Sequence, residues 1–461
     1  VGVGIVCSVA YFDPGNWSVD LQAGSEFGYR PLLFIVLLAG LGAIVLQSLA
    51  CKLGCVTGVD LATHCRLLLH DRPRHRRLIR YAVLYPLYIL CEVAIVCTDL
   101  AELLGSAIAL CMLFPKLPLW AGVAITAADV LVFLVLGSPS RYSKPSRVFE
   151  LTIMLLVLAV FACFILLIVK VSPDWSQAFL GFIPSAKLFD AHSDTLYTGK
   201  TVGILGATVM PHALFLALSL DYRMKYEREN NDVGFIRAHL KHGIVDIVAS
   251  LLGVAVPINA AILVVAASVF FVDGKGSMIP AGLFDAYDLI VQHVGHAAGV
   301  IFALALLSSG QSSSITATLA GQVVSEGFIE WRVSPFLRRL ITRLLGLVPS
   351  MVVAIAVGRP GINMLLVASQ VALSIVLPFV AFPLIWLTSS RSVMRIQAVD
   401  AIVAEEKTDV VLVETASASS EVDDYIDFSN GWLLTTVASL IFVIVLAANL
   451  YVIVMLGLGK E

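Results

Sequence analysis

The chain has 461 residues, 59% of them hydrophobic and 14% charged, with a net charge of −3 and a mean hydropathy of +0.93. Soluble globular domains carry about 25% charged residues, so a water-soluble enzyme is excluded. The charges sit in connections rather than on a basic face that would grip nucleic acid, which leaves an all-α polytopic membrane protein.

Eleven stretches are long enough to cross a hydrocarbon core of about 30 Å: residues 3–23, 32–53, 81–112, 118–137, 148–171, 199–221, 243–271, 297–326, 343–358, 363–387 and 432–456. Arg72, Arg74, Arg76, Arg77 and Arg80 lie between spans 2 and 3, and Arg141, Lys144 and Arg147 between spans 4 and 5. Both connections are therefore expected on the cytoplasmic side. Alternation predicts basic residues in the 6–7, 8–9 and 10–11 connections, and each carries them: Arg223, Lys225, Arg228, Arg237 and Lys241, then Arg332, Arg338, Arg339 and Arg343, then Arg391 and Arg395. The N-terminus is expected inside and, after an odd number of spans, the C-terminus outside.

Span 1 is interrupted by Tyr11-Phe12-Asp13-Pro14-Gly15-Asn16. Pro14 lacks a backbone donor, Gly15 permits unusual dihedrals, and a carboxylate inside hydrocarbon needs a compensating partner. Asn16-Trp17-Ser18 fits the glycosylation pattern but lies within the membrane and is discounted. The eight cysteines suggest no disulfide framework, and Cys51 and Cys55 have no His or further Cys at metal-site spacing, so they read as core- or lipid-facing thiols. His64, His70 and His75 near the arginine-rich connection read as solvated. In span 3, Glu92, Asp99 and Glu102 fall on one stripe of a helix. Three carboxylates in hydrocarbon must pair, bind protons or face water, and a purely structural network with the arginines is the alternative to a proton route.

Span 6 carries a matching break, in which Gly203 and Gly206 lead into Ala207-Thr208-Val209-Met210-Pro211-His212. Unwound backbone there frees carbonyls to act as ligands. His212 can exchange protons near physiological pH or serve as a structural hydrogen-bonding group. Asp285 and Asp288, before span 8, are at most the border of an outer vestibule. Gly310 to Ser314 inside span 8 reads as close helix packing with interhelical hydrogen bonds. Residues 389–430 include an acidic stretch that reads as a mobile cytoplasmic linker, and residues 431–461 hold an eleventh helix peripheral to the transport core.

Spans 1–5 and 6–10 form two blocks of opposite topology, each with a discontinuous first helix. That pattern is a LeuT-like 5+5 inverted repeat, with repeat one at 1–171 and repeat two at 199–387 of a ten-helix core over 1–388, and it points to a site at the midplane where the breaks meet. Asp13 offers a hard anionic oxygen, Asn16 a neutral one, Ala207 a freed carbonyl and Met210 a thioether. Waters or the Ala10 carbonyl can complete the shell. Oxygen alone would suit magnesium or calcium, whereas sulfur favours softer first-row ions such as manganese and iron, and also cadmium.

Asp13-Pro14-Gly15-Asn16 together with Met210-Pro211-His212 resembles the Nramp (natural resistance-associated macrophage protein) family of proton-coupled divalent metal transporters. Similar residues continue through Thr98-Asp99-Leu100-Ala101-Glu102, Gly310-Gln311-Ser312-Ser313, Arg338-Arg339, Ser369-Gln370 and Leu377-Pro378-Phe379. The resemblance covers spans 1 to 10, and the linker with the eleventh span is most similar to fungal members. Gly40 departs from the family pattern, which has Asn there. The resemblance implies inward symport of manganese or ferrous iron with protons by alternating access. Asp13, Asn16, Met210 and the Ala207 carbonyl would be the ligands, with Gln370 joining in an occluded state. The proton route would map onto His212, Glu102, Asp99, Glu92 and Arg338 or Arg339. A monomer in a plasma, endosomal or vacuolar membrane is expected, with no cofactor and no enzymatic activity. The alternative is a magnesium or other solute carrier on the same fold, against which Met210 argues.

Overall fold

The computed structural model describes residues 3–70, 72–128, 147–185, 203–204, 206–216, 233–271, 282–331, 334–397 and 425–458. In chain order the helices are α1 (Val3–Ser8), α2 (Pro14–Phe27), α3 (Leu32–Thr57), α4 (Leu61–Leu69), α5 (Arg76–Leu113), α6 (Leu119–Ala127), α7 (Arg147–Val171) and α8 (Trp175–Gly181). They continue with α9 (Gly206–Leu216), α10 (Val233–Phe270), α11 (Leu283–His293), α12 (His296–Ile329), α13 (Pro335–Ala356), α14 (Arg359–Ser389), α15 (Arg391–Met394) and α16 (Trp432–Gly457).

Among the described residues eight helices are long and apolar enough to cross a bilayer, namely α3, α5, α7, α10, α12, α13, α14 and α16. They correspond to the expected spans 2, 3, 5, 7, 8, 9, 10 and 11. Span 1 falls short because it is interrupted, span 6 is described only at residues 203–204 and 206–216, and α6 begins a span 4 whose residues 129–137 lie outside the described set.

Helix starts and stops follow local chemistry. Gly58 closes α3 in the left-handed region at φ 67°, where a side chain would be strained, and the Asp60 carboxylate caps α4 by accepting the Thr63 N–H at 2.7 Å. Pro335 opens α13, and Ser334 Oγ accepts the Leu337 N–H at 3.2 Å. That start corrects the expectation that span 9 begins near residue 343. Arg338, Arg339 and Arg343 are therefore buried helix residues, not residues of a solvated connection. Hydropathy placed the boundary too late because it treats each arginine as unpaired, whereas here each has an acidic or hydroxyl partner on another helix. Arg76, Arg77 and Arg80 likewise open α5, and Arg237 and Lys241 lie within α10.

The helices pack around α2. Trp17 meets Phe164 of α7 edge-on at 4.8 Å between centroids and Phe302 of α12 at 5.6 Å. Gly24 lies so close to Leu263, Ala266 and Ala267 of α10 that a Cβ would clash, and Gly105 of α5 gives the same close approach to Pro14. These contacts fix α2 from several sides and so fix the residues at its start. By contrast α16 leaves Trp432, Leu433, Leu440, Val443 and Leu450 exposed, an apolar surface suited to lipid, and meets the rest through α14 and α3.

Both ends of the 389–430 segment have structure that its polar composition did not indicate. β1 (Arg395–Gln397) pairs antiparallel with β2 (Tyr425–Asp427), Ile396 opposite Ile426, and Ile396 is buried. Lys52 Nζ of α3 donates to Asn430 Oδ1 at 2.8 Å, and Asn430 Nδ2 donates to Thr388 Oγ1 of α14 at 2.8 Å. The acidic residues expected to form the linker's centre, within 398–424, lie outside the described residues.

Candidate metal site

Both interruptions restart on a proline. Pro14 is the first residue of α2 and Asp13 its N-cap, while the helical course of α9 lapses at Val209 and Met210 and resumes at Pro211. A proline at the first helical position loses nothing, since that N–H has no intrahelical partner. The loss falls four residues earlier. In a continuous helix the carbonyls of Ala10 and Ala207 would accept from residues 14 and 211, which as prolines have no N–H to give. The sequence thereby frees the two carbonyls read above as ligands, one in each break.

Asp13 is fully buried. Its Oδ1 accepts the Asn16 backbone N–H and the Asn16 Nδ2, each at 2.8 Å, while Oδ2 meets no donor. A buried anionic oxygen without a partner is unfavourable by several kcal/mol until a cation or proton reaches it. The backbone before it is held by side chains from other helices. Asn259 Nδ2 of α10 donates to Tyr11 O at 2.7 Å, and Phe12 O accepts from Ser309 Oγ of α12 at 2.6 Å and from Trp17 Nε1 at 2.9 Å. Ser313 Oγ reaches Val9 O at 3.4 Å.

Two bridges bring the breaks together. A Cβ on Gly15 would run into the Gln370 side chain, and one on Gly206 would lie 2.7 Å from the Gln370 carbonyl, so both interrupted helices press on the same residue of α14. Gln370 Oε1 has no hydrogen-bond partner. The second bridge is Gln47 of α3, which accepts from Tyr11 OH at 2.9 Å and donates to Ala213 O at 3.2 Å. Ala10, Asn16, Ala207, Met210 and His212 are all buried beside these contacts. Among the described residues no group of three or more His, Cys, Asp or Glu side chains is placed to hold a metal. The candidate donors are of another kind: one carboxylate, two amides, backbone carbonyls and a thioether.

The acidic stripe of α5 lies alongside. Glu92 pairs with Arg338, and Asp99 Oδ1 accepts from Arg343 Nη1 at 3.0 Å. Arg343 Nη2 donates to Ser314 Oγ at 2.6 Å, and Arg339 donates to Ser314 Oγ and Thr318 Oγ1 at 2.9 Å each. Glu102 is fully buried with neither oxygen hydrogen-bonded, and His212 Nδ1 stands 3.3 Å from Thr98 Oγ1 with Nε2 unpartnered. The serines of α12 combine packing with polar work, since Gly310 abuts Ser106 while Ser309, Ser313 and Ser314 hold backbone and arginines.

Four residues escaped the sequence reading. Arg343, placed in a loop, is the partner of Asp99; its spacing of four from Arg339 put it on the same face. Gln47 and Asn259 are amides inside apolar runs, a signal that polar residues in a membrane usually have a partner. Asp20 is buried with Oδ2 unpartnered, and its spacing of seven from Asp13 was visible in the sequence.

Comparisons with known proteins agree with this layout. The family model "Natural resistance-associated macrophage protein-like" matches residues 4–404. The chain is 40% identical to the iron transporter SMF3 of Saccharomyces cerevisiae, covering 100% of this chain and 96% of that protein. It is 41% identical to the manganese transporter pdt1 of Schizosaccharomyces pombe, covering 100% and 85%. The crystal structure of the Eremococcus coleocola manganese transporter with an aromatic bis-isothiourea substituted compound superposes with a TM-score of 0.78 at 30% identity, over 98% of this chain and 85% of that one. A match across nearly the whole chain, with both interrupted helices inside it, settles the family: this chain is a member of the Nramp family.

Proposed function

We propose that the chain is a secondary active transporter, not an enzyme, that imports a divalent transition metal ion, Mn2+ or Fe2+, together with protons by alternating access. Relatives named as iron and manganese transporters support the metal class. The observation that carries the site is the pair of unpartnered oxygens, Asp13 Oδ2 and Gln370 Oε1, where the two interrupted helices press on one residue of α14. Asp13, Asn16, the Ala207 carbonyl and Met210 hold the ion, with Gln370 and the Ala10 carbonyl as further ligands. The thioether selects softer ions over calcium and magnesium.

The proposed architecture is eleven spans, ten of them in two inverted five-helix blocks, with the N-terminus cytoplasmic. In that frame the α2 start and the Met210-Pro211 restart both meet the ion with helix N-termini, so the anionic Asp13 offsets an otherwise unfavourable positive end. Protons leave toward α5 through His212 and Glu102, and Asp99, Glu92 and the α13 arginines carry the route onward. A plasma, endosomal or vacuolar membrane and a monomeric state complete the reading.

Metal competition in proteoliposomes across a pH gradient tests it. Outside acid should accelerate Mn2+ uptake, and calcium should compete poorly. Met210→Ala should keep part of the Mn2+ uptake while becoming sensitive to calcium. Equal competition by calcium in the unaltered protein would overturn the softness argument, and uptake indifferent to pH would remove proton coupling.

A further inference from the structure

The ligand set and proton route leave one buried acid of α2 without a role. Asp20 follows Asp13 by seven residues, which is nearly two turns, about 10 Å along the axis and about 20° around it. Its side chain is 2% exposed, and Oδ2 has no donor. The charge that acts on it is Asp13, another acid, and no basic group among the described residues is seen to offset it. Packing does not require a carboxylate here, because the neighbouring positions of α2 are filled by apolar contacts: Trp17 on Phe164 and Phe302, and Gly24 on Leu263 and Ala266. An ionised group in such surroundings is unfavourable until a cation or proton reaches it.

The residue before Asp20 touches the other interrupted span. This residue, Val19, packs against Gly203, where a Cβ would lie 3.3 Å from Val19 Cγ1. The segments of spans 1 and 6 on one side of the two breaks therefore meet next to Asp20. In the proposed orientation that side is the outer one, and a cation from outside passes this junction before it reaches Asp13.

We propose that Asp20 forms a second, transient site for a divalent cation, an outer station that receives the incoming ion and passes it two helical turns inward to Asp13. The inference rests on the transport reading above, and its test separates the two. Mn2+ binding to the full chain in lipid nanodiscs is measured by calorimetry for the unaltered protein, Asp13→Ala, Asp20→Asn and the double variant. Asp13→Ala should weaken Mn2+ binding by about tenfold or more and leave one weak site, and adding Asp20→Asn should remove that site. In uptake assays Asp20→Asn alone should raise KM for Mn2+ about fivefold with kcat within about twofold, and Asp20→Glu should restore KM. A purely structural Asp20 would give no such split and no rescue. A residual site that survives Asp20→Asn, no residual site in Asp13→Ala, or an unchanged KM in Asp20→Asn overturns the outer station. Unaltered affinity in Asp13→Ala instead overturns the Asp13 site itself, and the outer station with it.

Discussion

Along α5 two carboxylates are held by arginines and a third is not, although all three share one stripe. Glu92 meets Arg338 and Asp99 meets Arg343, whose other nitrogen is fixed by Ser314. Glu102, three residues beyond Asp99, has no donor on either oxygen. The difference lies in what faces each position. α13 delivers its arginines to the first two, whereas beside Glu102 lie Gly310 of α12 and, through Gly105, the Pro14 end of α2. A paired buried carboxylate is a fixed part of the scaffold, since removing its partner leaves an uncompensated charge. An unpaired one is free to answer to a proton or a passing cation. On the proposed reading the stripe thus has a working end beside α2, where the proton route begins, and a structural end whose ion pairs also carry that route onward.

The comparison breaks most visibly at Asp13. Asp13→Ala should reduce Mn2+ uptake in proteoliposomes to background while the thermal unfolding midpoint moves little, because the two Oδ1 bonds that cap α2 are lost together with a buried oxygen that has no partner. Wild-type uptake by this variant would dissolve the working end. At the structural end the main effect is on stability. Arg343→Ala should destabilise the protein by about 3–5 kcal/mol, because it strands Asp99 in a buried place. The unfolding midpoint reads this, and Asp99→Asn in the same chain should recover part of the loss. If Arg343→Ala melts like the unaltered protein, the two ends of the stripe are not different in kind. Glu102→Gln sits between these cases. The neutral isostere should leave folding intact and Mn2+ uptake within severalfold of normal, yet abolish its acceleration by outside acid; persistence of that acceleration would take Glu102 out of the proton route.

The sequence made the breaks legible because Asp-Pro and Met-Pro before apolar runs are helix-start signals in places where a helix should continue. It also made legible that Glu92, Asp99 and Glu102 share a face, since that depends only on helical spacing. It did not reveal which acids would be paired. The answer depends on α13, more than two hundred residues away, and on a helix start at Pro335 that a hydropathy boundary pushes into the membrane by two turns. The Asn259 and Ser309 bonds to the Tyr11 and Phe12 carbonyls were hidden for the same reason: a backbone acceptor has no sequence signature, and its donor is chosen by the tertiary fold. The β1 and β2 pair was too short to show a period, with Ile396 and Ile426 as its apolar members.

The same chemistry in a third setting sharpens what burial contributes. Arg391 and Asp427 form an ion pair at 3.5 Å beside the strand pair, but their side chains are 75% and 37% exposed, against 2% and 4% for Arg343 and Asp99. The Ser429 backbone N–H, donating at 2.8 Å, holds the Asp427 carboxyl below its ordinary range, and Arg391 and Arg395 add to this. A depressed carboxyl stabilises the folded chain at every pH above its unfolded value and ceases to do so as pH falls through the folded one. Asp427 should therefore support the strand pair equally well at neutral and mildly acidic pH and cease to do so only in strong acid. Water screens the charge throughout, so Asp427→Asn should shift the unfolding midpoint by no more than about 1–2 °C. Thermal melts of both variants, Asp427→Asn and Arg343→Ala, from neutral pH down through the carboxylate range supply the check. A shift from Asp427→Asn as large as that from Arg343→Ala would mean that burial is not what separates a structural ion pair from an incidental one in this chain.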